Sequence, residues 1–142
     1  ALLKIIQEQQ FPELVLVHDG ARPFCSAKLI DRILDAAYEH GAAIPVLPLM
    51  DTIRRVTEEK TEVVERDELF AVQTPQGFLL EQLLYASMQI TANKWTVTDD
   101  ASMIENAGGR ITTVEGDPQN LKITTPADLE RADWILKSTN LS

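Results

Sequence analysis

Cysteine is almost missing from the 142-residue chain. Cys25 stands alone, so no intrachain disulfide can staple the fold, and a reducing cytoplasm suits it. His18 and His40 are the only histidines. With Cys25 they make no metal-site spacing, and neither has a serine or cysteine partner in a hydrolase motif. No apolar run approaches the roughly 20 residues of a membrane span, and no signal-peptide pattern is visible. Cations are outnumbered: 13 Lys and Arg against 22 Asp and Glu leave a net charge of −9. That argues against the broad basic face that nucleic acid needs. It leaves room for a small phosphorylated ligand gripped by a few local cations.

What is present is an α/β alternation. Leu14-Val15-Leu16-Val17-His18 is a short apolar run of the kind that forms a strand buried on both faces in a parallel sheet. Asp19-Gly20-Ala21-Arg22-Pro23 then reads as the tight turn that ends it. Ligands of open α/β sheets sit beyond the carboxyl ends of the strands, so Asp19 and Arg22 are expected to face a crevice. Ser26 is a plausible N-cap for a helix carrying Leu29, Ile30, Ile33, Leu34 and Ala37 on one face, with Gly41 as its stop. Ala42 to Leu47 is a second strand despite Pro45, which makes a βαβ unit.

The texture then changes. Asp51 to Val56 and Thr61 to Arg66 alternate polar and apolar residues around Glu58-Glu59-Lys60, the pattern of a β-hairpin projecting from the body. A lone hairpin is marginal in water, so a second subunit is expected to support it. Further helices are expected from Leu2 to Gln9, from Leu79 to Ile90 with Leu80, Leu83, Leu84 and Met88 inward, from a Thr98 cap to Gly108, and from Thr125-Pro126 onward with Leu129, Ala132, Ile135 and Leu136 docking. Further strands are expected at Leu69 to Gln73, Arg110 to Val114 and Leu121 to Ile123. The whole reads as one α/β domain over residues 1–142 with an arm inserted at 48–68.

The polar clusters fall at strand ends and helix starts: Asp19 and Arg22, Asp51 and Thr52, Thr74, Thr98, Lys122. Carboxylates, hydroxyls and isolated cations suit a phosphate ester with a divalent metal. Taken singly, each has a plainer reading as a turn residue, a helix cap or a solvated charge; Arg66, for instance, could pair with Glu65 or Asp67 on the surface. Their order is more informative. His18-Asp19-Gly20-Ala21-Arg22-Pro23, Asp51-Thr52, Arg66 eight residues before Thr74-Pro75-Gln76, Thr98-Asp99-Asp100-Ala101-Ser102 and Asn120-Leu121-Lys122 occur in one sequence. From about Pro12 to Leu136 this closely resembles the 2-C-methyl-D-erythritol 4-phosphate cytidylyltransferase family.

That resemblance implies a Rossmann-like nucleotidyltransferase sheet with flanking helices. It implies transfer of a cytidylyl group from CTP to methylerythritol phosphate, in non-mevalonate isoprenoid synthesis, assisted by Mg²⁺. Asp19 would stand at the metal and the substrate crossing. Gly20 and Arg22 would line the methylerythritol phosphate site, Thr74 and Thr98 would give hydrogen bonds, and Lys122 would stabilise charge on the transferring phosphoryl group. Thr52 and Arg66, on the arm, would reach the partner subunit of a cytoplasmic homodimer. No nucleic-acid or membrane partner is implied.

Two departures are mild: Gly20 stands where many members have Ala, and Asp100 where many have Glu. A larger one is that Gly108-Gly109 and Gly116 are too isolated to form the family's glycine-rich CTP loop. The chain therefore reads as the carboxyl-terminal two-thirds of the enzyme, without its amino-terminal nucleotide-binding segment and expected to be inactive by itself. Two alternatives are a ribitol-5-phosphate cytidylyltransferase and a non-catalytic sugar-phosphate-binding or dimerisation fragment. The Thr98 to Ser102 block and the His18 to Pro23 turn favour the methylerythritol enzyme over the first.

Overall fold

The computed structural model describes residues 12–93, 97 and 99–139. The helix expected at Leu2 to Gln9 and residue Thr98 lie outside them. Among the described residues the chain runs β1 (Leu14–Val17), α1 (Ala27–His40), β2 (Ala42–Pro48), β3 (Ile53–Val56), β4 (Thr61–Val64), β5 (Phe70–Val72), β6 (Gln76–Leu79), α2 (Leu80–Asn93), α3 (Asp100–Asn106), β7 (Thr112–Glu115) and α4 (Pro126–Thr139).

The capping chemistry read from the sequence accounts for α1. The Ser26 hydroxyl accepts from the Leu29 N–H, and Gly41 closes the helix at φ +94° with its N–H on the Ala37 carbonyl. Only glycine reaches that backbone conformation without a Cβ penalty. A Cβ there would also lie 2.3 Å from Gln82 Nε2. Leu29, Ile33 and Ala37 bury one stripe of the helix on the sheet with Ala43. On the other sheet face Phe78 packs with Ala42, and with Leu83 and Ala86 of α2 and Ile104 of α3. α1 therefore covers one face of the sheet, and α2 and α3 the other.

The main sheet differs from an all-parallel one. β1 and β2 both run antiparallel to β6, which lies between them, so they are parallel to each other without touching. The βαβ crossover stands, with a strand slotted into it. β2 and β7 are its parallel neighbours. β1 is half-buried along its length rather than buried on both faces. The sequence hid β6 because Gln76–Leu79 is short, follows a proline and runs directly into α2, so its apolar residues merge with the helical pattern.

β5 and β6 behave as one interrupted strand. Val46 overlaps both β7 and β5, so β5 lies on the opposite edge of β2 from β7, the edge that β6 also occupies. Three residue steps on β2, from Val46 to Ala43, face five on the other side, from Val72 to Gly77. The two extra residues form a bulge, a device that re-aims side chains at sheet rims. Gln73, Thr74 and Pro75, joined to Thr74 by a cis peptide bond, occupy it.

Other expectations need correction. The α3 N-cap is Asp99, not Thr98: Asp99 Oδ1 accepts from the Ser102 N–H, and the Ser102 hydroxyl closes a capping box. An acid on a helix start satisfies both an orphan donor and the dipole. Leu121 to Ile123 forms no strand; its Leu121 N–H bonds the Gln119 carbonyl and its Ile123 N–H the Ala21 carbonyl. Met88 is exposed and Ala86 takes the inward place. On α4, Ala132 is buried but Leu129 and Leu136 are mostly exposed, so the helix docks by a narrower stripe than its pattern suggests. The hairpin is as expected: β3 and β4 form their own two-stranded sheet.

Candidate functional site

β1 delivers its last residues to a cleft of about 350 Å³ lined by His18, Asp19, Arg22, Thr74, Asp99 and Lys122, with Val17, Val72, Gln73, Gln76 and Asp100 completing the wall. Each lining element arrives by a local device. The turn after β1 closes with the Arg22 N–H on the Asp19 carbonyl at 3.0 Å. The bulge presents Thr74, whose hydroxyl accepts from the Asp19 N–H at 2.9 Å. The Asp99 capping box sets α3 at the wall, and Gln76 Nε2 donates to Asp99 Oδ2 at 3.3 Å. The loop after β7 carries Lys122.

The charges converge on one oxygen. Asp19 Oδ2 lies 3.0 Å from Lys122 Nζ and 3.4 Å from Arg22 Nε. The Lys122 hydrogen bond, followed by the Lys122 and Arg22 charges, outweighs burial and holds the Asp19 carboxyl below its ordinary range. Arg22 is fixed further by Nη1 donating to the Asn120 carbonyl at 2.8 Å, and only 11% of its side chain is exposed. Lys122 is 48% exposed and pairs with Asp19.

The acids on the opposite wall differ from each other. Burial works to raise Asp99, but the Ser102 N–H and hydroxyl and the Gln76 amide prevail and lower it. Asp100 is raised, by burial and then by the Asp99 charge. His18 orients Thr74. Its Nε2 lies 2.9 Å from the Arg22 carbonyl, which can only accept. Nε2 therefore carries the proton, and in neutral His18 the Nδ1, 3.1 Å from Thr74 Oγ1, accepts from that hydroxyl.

Of the residues expected from the sequence, Asp19, Arg22, Thr74 and Lys122 meet in this cleft. Gly20 sits on the turn beside it, exposed, and a Cβ there would meet nothing within 4 Å, so an alanine would fit. Thr52 and Arg66 do not line the cleft. Thr52 is exposed at the root of the arm, and Arg66 donates to the Met50 carbonyl. Thr98 is outside the described residues. His18, Gln73, Gln76 and Asn120 belong to the site's framework and were not among the expected site residues. The matched blocks His18 to Pro23, Thr74 to Gln76 and Asn120 to Lys122 contained three of them; Gln73, one residue before a block, had no such signal.

A divalent cation fits this donor set in one way. Among the described residues no group of three or more His, Cys, Asp or Glu side chains could hold a metal by itself. Asp19 is an ionised hard oxygen donor, and both cations contact its Oδ2. Mg²⁺ is commonly held by one or two carboxylates, with phosphate oxygens of the substrate supplying further ligands.

Comparison with known proteins agrees with the geometry. The model of the IspD family, 2-C-methyl-D-erythritol 4-phosphate cytidylyltransferase, matches residues 1–138. The chain is 47% identical over 127 residues to the 2-C-methyl-D-erythritol 4-phosphate cytidylyltransferase of Bacillus licheniformis, covering 89% of this chain and 55% of that protein. It is 46% identical over 132 residues to the Bacillus cereus protein of the same name, covering 92% and 58%. A crystal structure of the Thermus thermophilus protein of that name superposes with a TM-score of 0.82 at 41% identity, covering 88% of this chain and 62% of that one. The chain thus spans little more than half the length of the curated relatives it matches.

Proposed function

Because the chain belongs to the 2-C-methyl-D-erythritol 4-phosphate cytidylyltransferase family, we propose that its cleft receives methylerythritol phosphate and transfers to it the cytidylyl group of CTP. The observation that carries this is the meeting of Asp19, Arg22, Thr74 and Lys122, from three separate stretches of chain, at one sheet rim.

A phosphate oxygen of methylerythritol phosphate attacks the α-phosphorus of CTP; a P–O bond forms, the α–β bridging bond breaks, and pyrophosphate leaves with its electron pair. Such transfers are governed by positioning and electrostatics. Arg22, rigidly held, offers its fork to the sugar phosphate, with Gly20 leaving the turn open beside it. Thr74, its hydroxyl proton on His18, accepts from a hydroxyl of the substrate, assisted by Thr98. Lys122 moves its charge from Asp19 toward the phosphoryl group as negative charge builds there. Asp19 would hold Mg²⁺, which when bound neutralises phosphate charge. Arg66 and Thr52 serve the site of a neighbouring copy, a role that suits an arm standing apart from its own cleft. A homodimer follows from that reading, and the lone Cys25 suits the cytoplasm.

Titrating methylerythritol phosphate into the ¹⁵N-labelled chain tests the binding half. Shifts at Asp19, Arg22, Thr74 and Lys122, larger than those from ribitol 5-phosphate or inorganic phosphate, are expected. Equal shifts from all three ligands, or none at these residues, would refute it. Pyrophosphate release by the full-length gene product with CTP and Mg²⁺ tests the transfer.

A further inference from the structure

Gln73 borders the cleft but has no donor left for a ligand. Its side chain is buried, with the residue only 6% exposed. Nε2 donates to the carbonyls of Asp117 at 3.0 Å and Asn120 at 3.3 Å, and Oε1 accepts from the Asp117 N–H at 3.0 Å. Both amide hydrogens are thereby committed to protein carbonyls. The side chain does what a neighbouring strand would do, pairing the backbone of the loop that follows β7. Gly116 permits the approach: a Cβ there would stand 2.6 Å from Gln73 Oε1 and 3.0 Å from the Val46 carbonyl.

Asn120, fully buried, closes the circuit. Its carbonyl receives both Gln73 Nε2 and Arg22 Nη1, and its Nδ2 donates to the Thr74 carbonyl at 2.7 Å. Its Oδ1 has no partner among the described residues. The loop is tied at its other end as well, where Asp117 Oδ2 accepts from the Ser26 hydroxyl that caps α1. One buried amide therefore stands behind three groups that face the cleft: Thr74 beside it in the chain, Arg22 through a shared carbonyl, and Lys122 through the loop.

We propose that Gln73 is a positioning residue that, with Asn120, clamps the loop from Gly116 to Lys122 and so sets where Arg22 and Lys122 stand relative to Asp19. Removing its amide leaves the Asp117 N–H unpaired and takes one of two donors from each of the Asp117 and Asn120 carbonyls, which keep the Asn120 N–H and Arg22 Nη1. The proposal rests on the functional reading only in taking Arg22 and Lys122 as the groups that meet phosphate.

Two measurements test it, with Gln73→Met, which keeps the length and deletes the amide. In the ligand-free chain, amide exchange at Asp117 and Asn120 should quicken roughly tenfold, while Phe78 and Leu83 keep their protection. In the full-length gene product, Gln73→Met should lower turnover about 10- to 100-fold. Adding it to Lys122→Met should cost clearly less than it costs alone, because part of its effect runs through Lys122. Unchanged exchange at Asp117 and Asn120, or a double variant whose loss is the product of the single losses, overturns the proposal. If Gln73→Met loses core protection, Gln73→Asn, which keeps the amide but shortens its reach, is carried through both measurements. A wild-type protein with no turnover defeats the functional reading instead, and the exchange result then decides the clamp.

Discussion

The rim of the main sheet and the β3–β4 arm are held by opposite kinds of contact. At the rim, hydrogen bonds reach across the chain, joining Asn120 to Thr74 over 46 positions and Arg22 to Asn120 over 98. In the arm they span 2 to 16 positions: Lys60 to Glu62, Arg54 to Thr61, Arg66 to Met50. The rim exists only when the whole fold exists. The arm closes on itself, with Met50 80% and Val63 61% exposed, and its surface ion pairs add little stability. Positioning in the first is built in; positioning in the second has to come from what the arm touches.

Stability measurements sharpen the contrast most. Leu83→Ala, in the core beside Phe78, should cost about 2–5 kcal/mol, whereas Val63→Ala on the arm should stay within about 0.5 kcal/mol in a monomer. Denaturant titration at several protein concentrations checks both. A large, concentration-dependent cost at Val63 would show the arm buried between copies and break the comparison in favour of the homodimer. For catalysis, Lys122→Ala in the full-length gene product should lower turnover about 10²- to 10³-fold, read in steady-state kinetics.

Arg66→Ala should be milder, weakening the specificity constant for methylerythritol phosphate about tenfold with CTP binding intact; Arg66→Lys should also impair it, because an ammonium lacks the planar fork. An unchanged constant for either variant removes the arm from the site.

The smallest effect belongs to α4. Asp128 Oδ2 accepts from the Thr124 and Thr125 N–H groups and hydroxyls, and these bonds, the Thr124 N–H first, bring its pKa down to about 2. A depressed carboxyl stabilises the folded state above its unfolded value, near 3.8, and that contribution fades as pH falls toward about 2. Carboxyl NMR of the chain should give that low midpoint, and Asp128→Asn should remove the pH dependence of α4 exchange.

Much of this was legible because it is local. Ser26, Gly41 and Thr125-Pro126 announce helix ends through their own chemistry, and Asp19-Gly20 announces a turn. Asp19, Arg22, Thr74 and Lys122 were legible as a set because blocks in fixed order resemble one family, not because any spacing forces them together. What stayed hidden depends on distant partners. β6 takes its identity from β1 and β2, which lie 59 or more and 34 or more positions away by register. Gln73 looks like any strand-end glutamine until the loop after β7 folds over it. Leu129 and Leu136 carry a helical stripe that α4 leaves in solvent.

The bulge between β5 and β6 binds the reading frame of the core to that of the rim. Gly77 faces α1, where a single added carbon would lie 2.6 Å from Ile33, while the Phe78 ring fills the opposite side. Deleting one residue among Gln73, Thr74 and Pro75 would slide β6 by one place and drive an aromatic ring into the space that only a hydrogen fits. Drift in chain length at this corner is thus confined to even steps, and the spot where Thr74 meets Asp19 inherits that discipline from packing on the far side of the sheet.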